Sequence, residues 1–497
     1  MKKYVLQRIL RSILSILIVT TIAFVLVYSL VPRQDIFVSD PTYTKLKAQP
    51  DELLDYENVT YQSNGYLDYY NPSQLCTAAT STDAEYTDCV DGNGKQYIDA
   101  WAQANSKWVV NTMPMSGKPY ATREIPTLEK VVRFYGSFLQ IDHPWRVQDA
   151  SNPDLSRGLG LSMNENVGLA VTCDGCESKN QLYINGTFPF IHQNFIKINL
   201  GKAYPTYKGQ DVTQVIGGSQ GSPVSRQVTF ETGKTGNSAL DFGTCKYRPS
   251  DRLDRLDKEN FNDNYTDCLS VNDAPSMLSM SFITGVMSVI LAYAIAVPAG
   301  VVMARKKGMF VDRFGVAIIT VLISVPSLAS VYFFRMIGSS FFGMPENFPT
   351  LGPSNPLSYV MPTIILALLS VSGIMMWIRR YMIDQQSADY VKFAKAKGLS
   401  DKEISKNHIF KNAIIPITAG IPASVIGAIA GATITEQVFA MPGMGKMLPD
   451  AILQHNNAIV IGLVFIFTTM SIISVLLGDI LLTKVDPRIK LDTKGGK

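Results

Sequence analysis

The 497 residues contain no phosphate-binding loop. The nearest stretch, Gly443-Met444-Gly445-Lys446-Met447, lacks the leading glycine and the hydroxyl side chain with which such loops hold phosphate and magnesium. Energy from a nucleotide must therefore enter through another chain. Net charge is only +4, which excludes the strongly basic surface of a nucleic-acid binder. Histidine is scarce, at four residues, and no histidine pair lies near Cys173-Asp174-Gly175-Cys176 to complete a zinc site. That CxxC also follows no thioredoxin-like strand pattern, so a structural bridge is the better reading of it.

Charge is missing most of all from six long runs: residues 12–31, 277–303, 316–334, 359–377, 414–434 and 458–482. Each approaches the roughly 20 apolar residues that a helix needs to cross a bilayer. The mean hydropathy of +0.11 averages these runs with one long polar stretch. The first run follows Lys2, Lys3 and Arg8 but is too long for a signal peptide, and no Ala-x-Ala site lies near Val31-Pro32-Arg33. It reads as a retained anchor.

The placement of basic residues predicts topology, because short cytoplasmic loops collect Lys and Arg. Lys2, Lys3, Arg8 and Arg11 precede the first run, and Arg305, Lys306, Lys307 and Arg313 follow the second. Eight more basic residues lie between Arg379 and Lys411, and Lys484, Arg488 and Lys490 follow the sixth run. The alternate loops, residues 338–358 and 436–457, contain only Lys446. Both termini are expected in the cytoplasm and residues 33–276 outside.

All six cysteines fall in that outer block, where an oxidising compartment preserves disulfides. Sequence proximity favours Cys76–Cys89, Cys173–Cys176 and Cys245–Cys268 among the 15 possible pairings. The block is rich in Tyr and Trp, unlike a disordered tail. Leu128, Val131, Val132, Tyr135, Phe138 and Leu139 share a helical face, and residues 224–230 alternate like a strand. A mixed α/β domain is expected, without internal repeat.

The loop after the fourth run is the most informative. Residues 386–397 suit a helix, Gly398 its left-handed stop, and Ser400-x-x-Glu403 a capping box that starts a second helix. Pro416 opens the next membrane helix.

The order Asp389-Tyr390-Val391-Lys392-Phe393-Ala394-Lys395-Ala396-Lys397-Gly398-Leu399 resembles the EAA loop of ABC importer permeases, in the form used by their dipeptide, oligopeptide and nickel branch. Lys392 and Phe393 stand where the wider family has Glu and Ala. Glu436-Gln437-Val438-Phe439-Ala440-Met441-Pro442-Gly443-Met444-Gly445 resembles that branch's outer loop, and Asp486-Pro487-Arg488-Ile489 its C-terminal tail. The similarity covers about residues 275–490.

The resemblance implies an all-α polytopic membrane domain of six transmembrane helices, a type I ABC importer permease, with a large inserted mixed α/β extracellular domain. The expected divisions are residues 1–32, 33–276, 277–490 with a coupling loop at 386–412, and a tail at 491–497. Tyr390, Ala394, Ala396, Gly398, Leu399, Ser400 and Glu403 would form the element that meets a cytoplasmic ATPase, with Ala394 on the docking face. The implied partners are a second homologous permease, two ATPase subunits that carry ATP-Mg, and an extracellular substrate-binding lipoprotein that delivers oligopeptides. The chain itself would be non-catalytic, with no bound cofactor or metal, and would sit in the plasma membrane among lipids.

Gly420, Ser424, Gly427 and Gly431 form a stripe of small residues on the fifth run. It suits helix packing within the chain or against a second permease across the pathway. Asp479, near the inner end of the sixth run, suits a structural pairing with an inner-loop Arg or Lys better than a substrate role. Two other classes place an outer domain after a first helix: mechanotransmitting ABC proteins and sensor receptors. The former lack the EAA-like loop, and the latter lack five further helices.

Overall fold

The computed structural model describes residues 2–184 and 190–486. Most of the C-terminal motif at residues 486–489, and the tail at 491–497, lie outside the described residues.

Among the described residues, five helices are long and apolar enough to cross a membrane: Leu6–Leu30, Met277–Arg305, Leu357–Gln386, Ile415–Val438 and Asn457–Val485. The expected third span, residues 316–334, is not one helix. It divides into Phe310–Ser324 and Ser327–Phe342, bent by 112°. Pro326 causes the break, because its ring excludes the preceding residue from helical geometry and it has no amide to donate. Val325 accordingly sits at φ −80°, ψ 130°. The described residues thus give five long helices, or six spans if the bent pair counts as one. Pro298, Pro362 and Pro422 lie inside continuous helices. Pro416 occupies the first turn of Ile415–Gly431, where an amide has no helical partner to lose.

Small residues bring the spans together. A Cβ on Gly300 would strike Ile378, one on Gly285 would strike Ile429, and one on Gly478 would strike the Ala419 carbonyl. Two ion pairs tie the ends of the bundle. Arg379 donates Nε and Nη2 to the buried Asp312 at 2.6 and 2.9 Å. Asp479 pairs with Arg8 at the start of the first helix, so its partner comes from the N-terminus instead of an inner loop.

The inserted segment folds into a mixed α/β domain. One antiparallel sheet runs in the order Leu67–Tyr70, Pro119–Glu124, Val109–Thr112. A second is a meander of Gly158–Asn164, Gly168–Asp174, Asn180–Ile184 and Ile191–Gln193. The strand expected at 224–230 forms as Arg226–Thr229 and pairs with Thr235–Ser238. The helix expected near 128–139 forms as Thr127–Phe138.

The three local cysteine pairs are joined as disulfides: Cys76–Cys89, Cys173–Cys176 and Cys245–Cys268. The first clamps two short capped helices, Pro72–Ala79 and Asp83–Val90. The last joins the neighbouring strands Leu240–Lys246 and Asp267–Ser270.

The domain is seated on one end of the bundle. Asn456 donates to the Thr206 carbonyl at 3.1 Å, and Asn457 donates to the Tyr66 hydroxyl at 2.5 Å. Leu200 and Val212 pack over Gly462. Next to this seat lies a buried knot in which Asp40 accepts from Tyr56 and Tyr204. Burial pushes the Asp40 carboxyl up, but bonds from Tyr204, Tyr56 and the Thr42 amide, with Lys208 nearby, hold it below the usual range.

Candidate functional site

At the opposite end of the bundle, Asp389–Ala396 forms a two-turn surface helix. Gly398 ends it at φ +79°, with its amide bonded to the Lys395 carbonyl at 2.9 Å. The Leu399 amide reaches back to the Ala394 carbonyl at 3.3 Å, which completes a Schellman stop. A Cβ on Gly398 would meet nothing within 4 Å, so glycine is required there by backbone conformation and not by space.

Ser400 then caps the second helix. Its amide donates to Glu403 Oε2 at 3.0 Å, and the Glu403 amide donates to Ser400 Oγ at 3.3 Å. The Ser400 hydroxyl and amide hold the Glu403 carboxyl below its ordinary range. The chain continues through a widened π-helical stretch, Ile404–Phe410, into Lys411–Ala413 and the span that starts at Ile415. Movement of the surface helix thus has a direct backbone path to a membrane helix.

The faces of this element differ from expectation in one respect. Ala394 is only 5% exposed and turns inward against Ile378, Met382, Val391, Ile404 and Ile409. The helix must bury one face on the bundle, and Val391 and Ala394, three apart, supply it. Ala394 therefore anchors the helix instead of forming its outer surface. Phe393 takes the outer position, at 70% exposure, beside Lys392, Ala396 and Lys397. Tyr390 is half-buried and bonds to Gln385 Oε1 at 2.5 Å. Leu399 joins the inner cluster at its edge.

The small stripe lies on the helix Ile415–Gly431. Beyond the backbone of its own helix, a Cβ on Gly420, Gly427 or Gly431 would meet nothing within 4 Å among the described residues. Ser424 alone turns inward, 3.1 Å from the Tyr293 hydroxyl. The three glycines present an open, flat face.

Sequence reasoning passed over a buried knot beneath the 436–445 motif. Glu436 accepts from Ser281 Oγ at 2.7 Å and from the Lys446 amide at 2.7 Å. Ser281 in turn accepts from the Met444 amide at 2.8 Å. A Cβ on Gly443 would collide with the Glu436 carboxylate, and one on Gly445 with the Thr433 amide, which explains both glycines. The spacing of Glu436 from the two glycines was visible in the sequence, whereas Ser281, 155 residues away, was not.

Residues 296–491 match the family model described as binding-protein-dependent transport system inner membrane component. Over 500 aligned residues, covering 100% of both chains, the sequence is 46% identical to the oligopeptide transport system permease protein AmiC of Streptococcus pneumoniae. The chain belongs to the binding-protein-dependent transport inner-membrane family. Within it, the permease lies on the oligopeptide and dipeptide branch. The dipeptide transport system permease protein DppB of Bacillus subtilis is 28% identical over 52% of this chain and 77% of its own. A solved MetNI methionine ABC transporter overlays 42% of the permease and 94% of its own chain, with TM-score 0.36 and 12% identity.

Proposed function

We propose that this permease is the non-catalytic membrane subunit of an ATP-driven importer of oligopeptides. It forms half of a translocation pathway, and a second homologous permease forms the other half. The open face at Gly420, Gly427 and Gly431 meets that second permease, because glycines let backbones approach where lipid gives helices no hydrophobic drive to associate. Two cytoplasmic ATPases bind and hydrolyse ATP-Mg and dock on the surface helix, with Phe393 as the exposed anchor and Gly398 fixing its exit. A substrate-binding lipoprotein delivers peptides outside. Both termini and the coupling loop face the cytoplasm, and the inserted domain is extracellular, as the basic residues indicate.

The observation that carries the substrate class is the full-length identity to AmiC, which includes the inserted domain. Affinity purification of the tagged permease from its native membrane, followed by mass spectrometry, tests the assignment. A second permease, ATPase subunits and a binding lipoprotein should co-purify. Recovery with a sensor kinase, or with none of these proteins, would contradict it.

A further inference from the structure

The inserted domain carries an apolar face that nothing in the described chain covers. The meander packs one side on Val228, Phe230, Phe242 and Phe261. Its other side presents Leu159, Leu161, Met163, Leu169, Ile184 and Ile191, with Leu161 at 79% and Met163 at 83% exposure. The pattern continues into the ribbon formed by Leu139–Ile141 and Ile196–Ile198, whose four aliphatic residues point outward while Gln140 and Lys197 turn in. Ribbon and meander are one surface. The Asn194 amide bonds to the Gln181 carbonyl at 2.8 Å, and Asp142 accepts from the Ser178 amide at 2.8 Å. A contiguous exposed aliphatic face of this kind marks a site of contact with lipid or with another protein.

Its position shows what covers it. The ribbon follows directly from the helix Thr127–Phe138, and the last turns of that helix lie against membrane spans. Tyr135 donates its hydroxyl to the Leu17 carbonyl at 3.0 Å, and the Phe134 ring stands 5.1 Å from Phe24. The Phe138 ring stands 5.1 Å from Phe465. Leu17 is about 20 Å along its helix from Leu30, and Phe465 about 12 Å along its own from Asn457, at 1.5 Å per residue. Those levels fall within a hydrocarbon core about 30 Å thick. The surface therefore starts at bilayer depth. It is aliphatic, and its outward positions lack the Tyr, Trp and Arg that anchor protein–protein contacts. Exposed Trp145 and Phe195 flank the ribbon in sequence, as aromatics do at a membrane interface.

We infer that this face seats in the leaflet of the lipid bilayer adjoining the domain, so that the domain is a part-embedded platform. That leaflet is the outer one on the topology proposed above. Among the described residues no cysteine is free, so an introduced cysteine gives a single labelling site on this chain, labelled before assembly with its partners. Environment-sensitive fluorophores placed at Ile141→Cys, Met163→Cys and, as control, Lys95→Cys would be read in the assembled transporter in nanodiscs. Spin-labelled phospholipid should quench positions 141 and 163 but not 95, and aqueous iodide should do the reverse. Iodide quenching of all three alike would overturn the inference. So would protection from both quenchers with cross-linking to the second permease. Nanodiscs expose both membrane faces and partner co-purification is read on the same sample, so failure here is distinct from failure of the proposed topology or function.

Discussion

Gly398 carries the sharpest residue-level consequence. Its φ of +79° costs a residue with a Cβ about 1–2 kcal/mol, more when β-branched. That is too little to unfold a chain of this size and enough to redirect a two-turn helix. Gly398→Val should leave the permease in the membrane at normal abundance, weaken ATPase co-purification and collapse peptide uptake. Normal uptake at equal protein level would remove Gly398 from the coupling element. Phe393→Ala and Ala394→Glu separate surface from anchor. Phe393→Ala should weaken ATPase binding while protease resistance of the loop stays unchanged. Ala394→Glu should make the loop itself protease-sensitive, because it forces a carboxylate into an apolar cluster.

In the inserted domain, a hydrogen bond from Arg133, opposed by burial and helped by Arg123, holds the Asp68 carboxyl below its usual range. A depressed carboxylate contributes stability that is present above the unfolded value, about 4, and is lost as pH falls through the folded value. Asp68→Asn should therefore lower the Tm of the full chain at pH 7, and the gap to wild type should narrow as pH drops below about 4. A gap that is constant with pH would show that the ion pair contributes nothing.

At the scale of elements, local signals were legible and orientation was not. The surface helix, its glycine stop, the Ser400 capping box and the three short-range disulfides each rest on residues close in sequence. Pro298, Pro326, Pro362, Pro416 and Pro422 all mark possible bends, since each lacks an amide donor, and only the fold shows that Pro326 parts a helix while Pro298, Pro362 and Pro422 lie inside continuous ones. The inward turn of Ala394 depends on Ile378 and Ile404 from neighbouring elements. The Glu436–Ser281 and Asp312–Arg379 contacts join distant segments, and no periodicity connects them. The disulfides give a direct check. Each closed loop constrains the unfolded chain, by roughly 3 kcal/mol for a loop of 15 residues. Non-reducing peptide mapping should recover the three local bridges, and free thiols at any of the six positions would count against the fold of that domain.

At the scale of the whole molecule, a domain seated on one end of the bundle is linked through the spans to the surface helix at the other. Asn456 and Asn457 hold the domain to the start of the last span, and that span packs along the helix opened by Pro416. The central claim is that nucleotide-driven movement at the surface helix transports peptide. It is tested most directly by reconstituting the permease with its co-purified partners into liposomes and following a labelled oligopeptide with and without ATP. The account predicts ATP-dependent accumulation that requires the binding lipoprotein and is abolished by Gly398→Val while the complex remains in the bilayer. Accumulation that is independent of ATP, or undiminished by Gly398→Val, would contradict it.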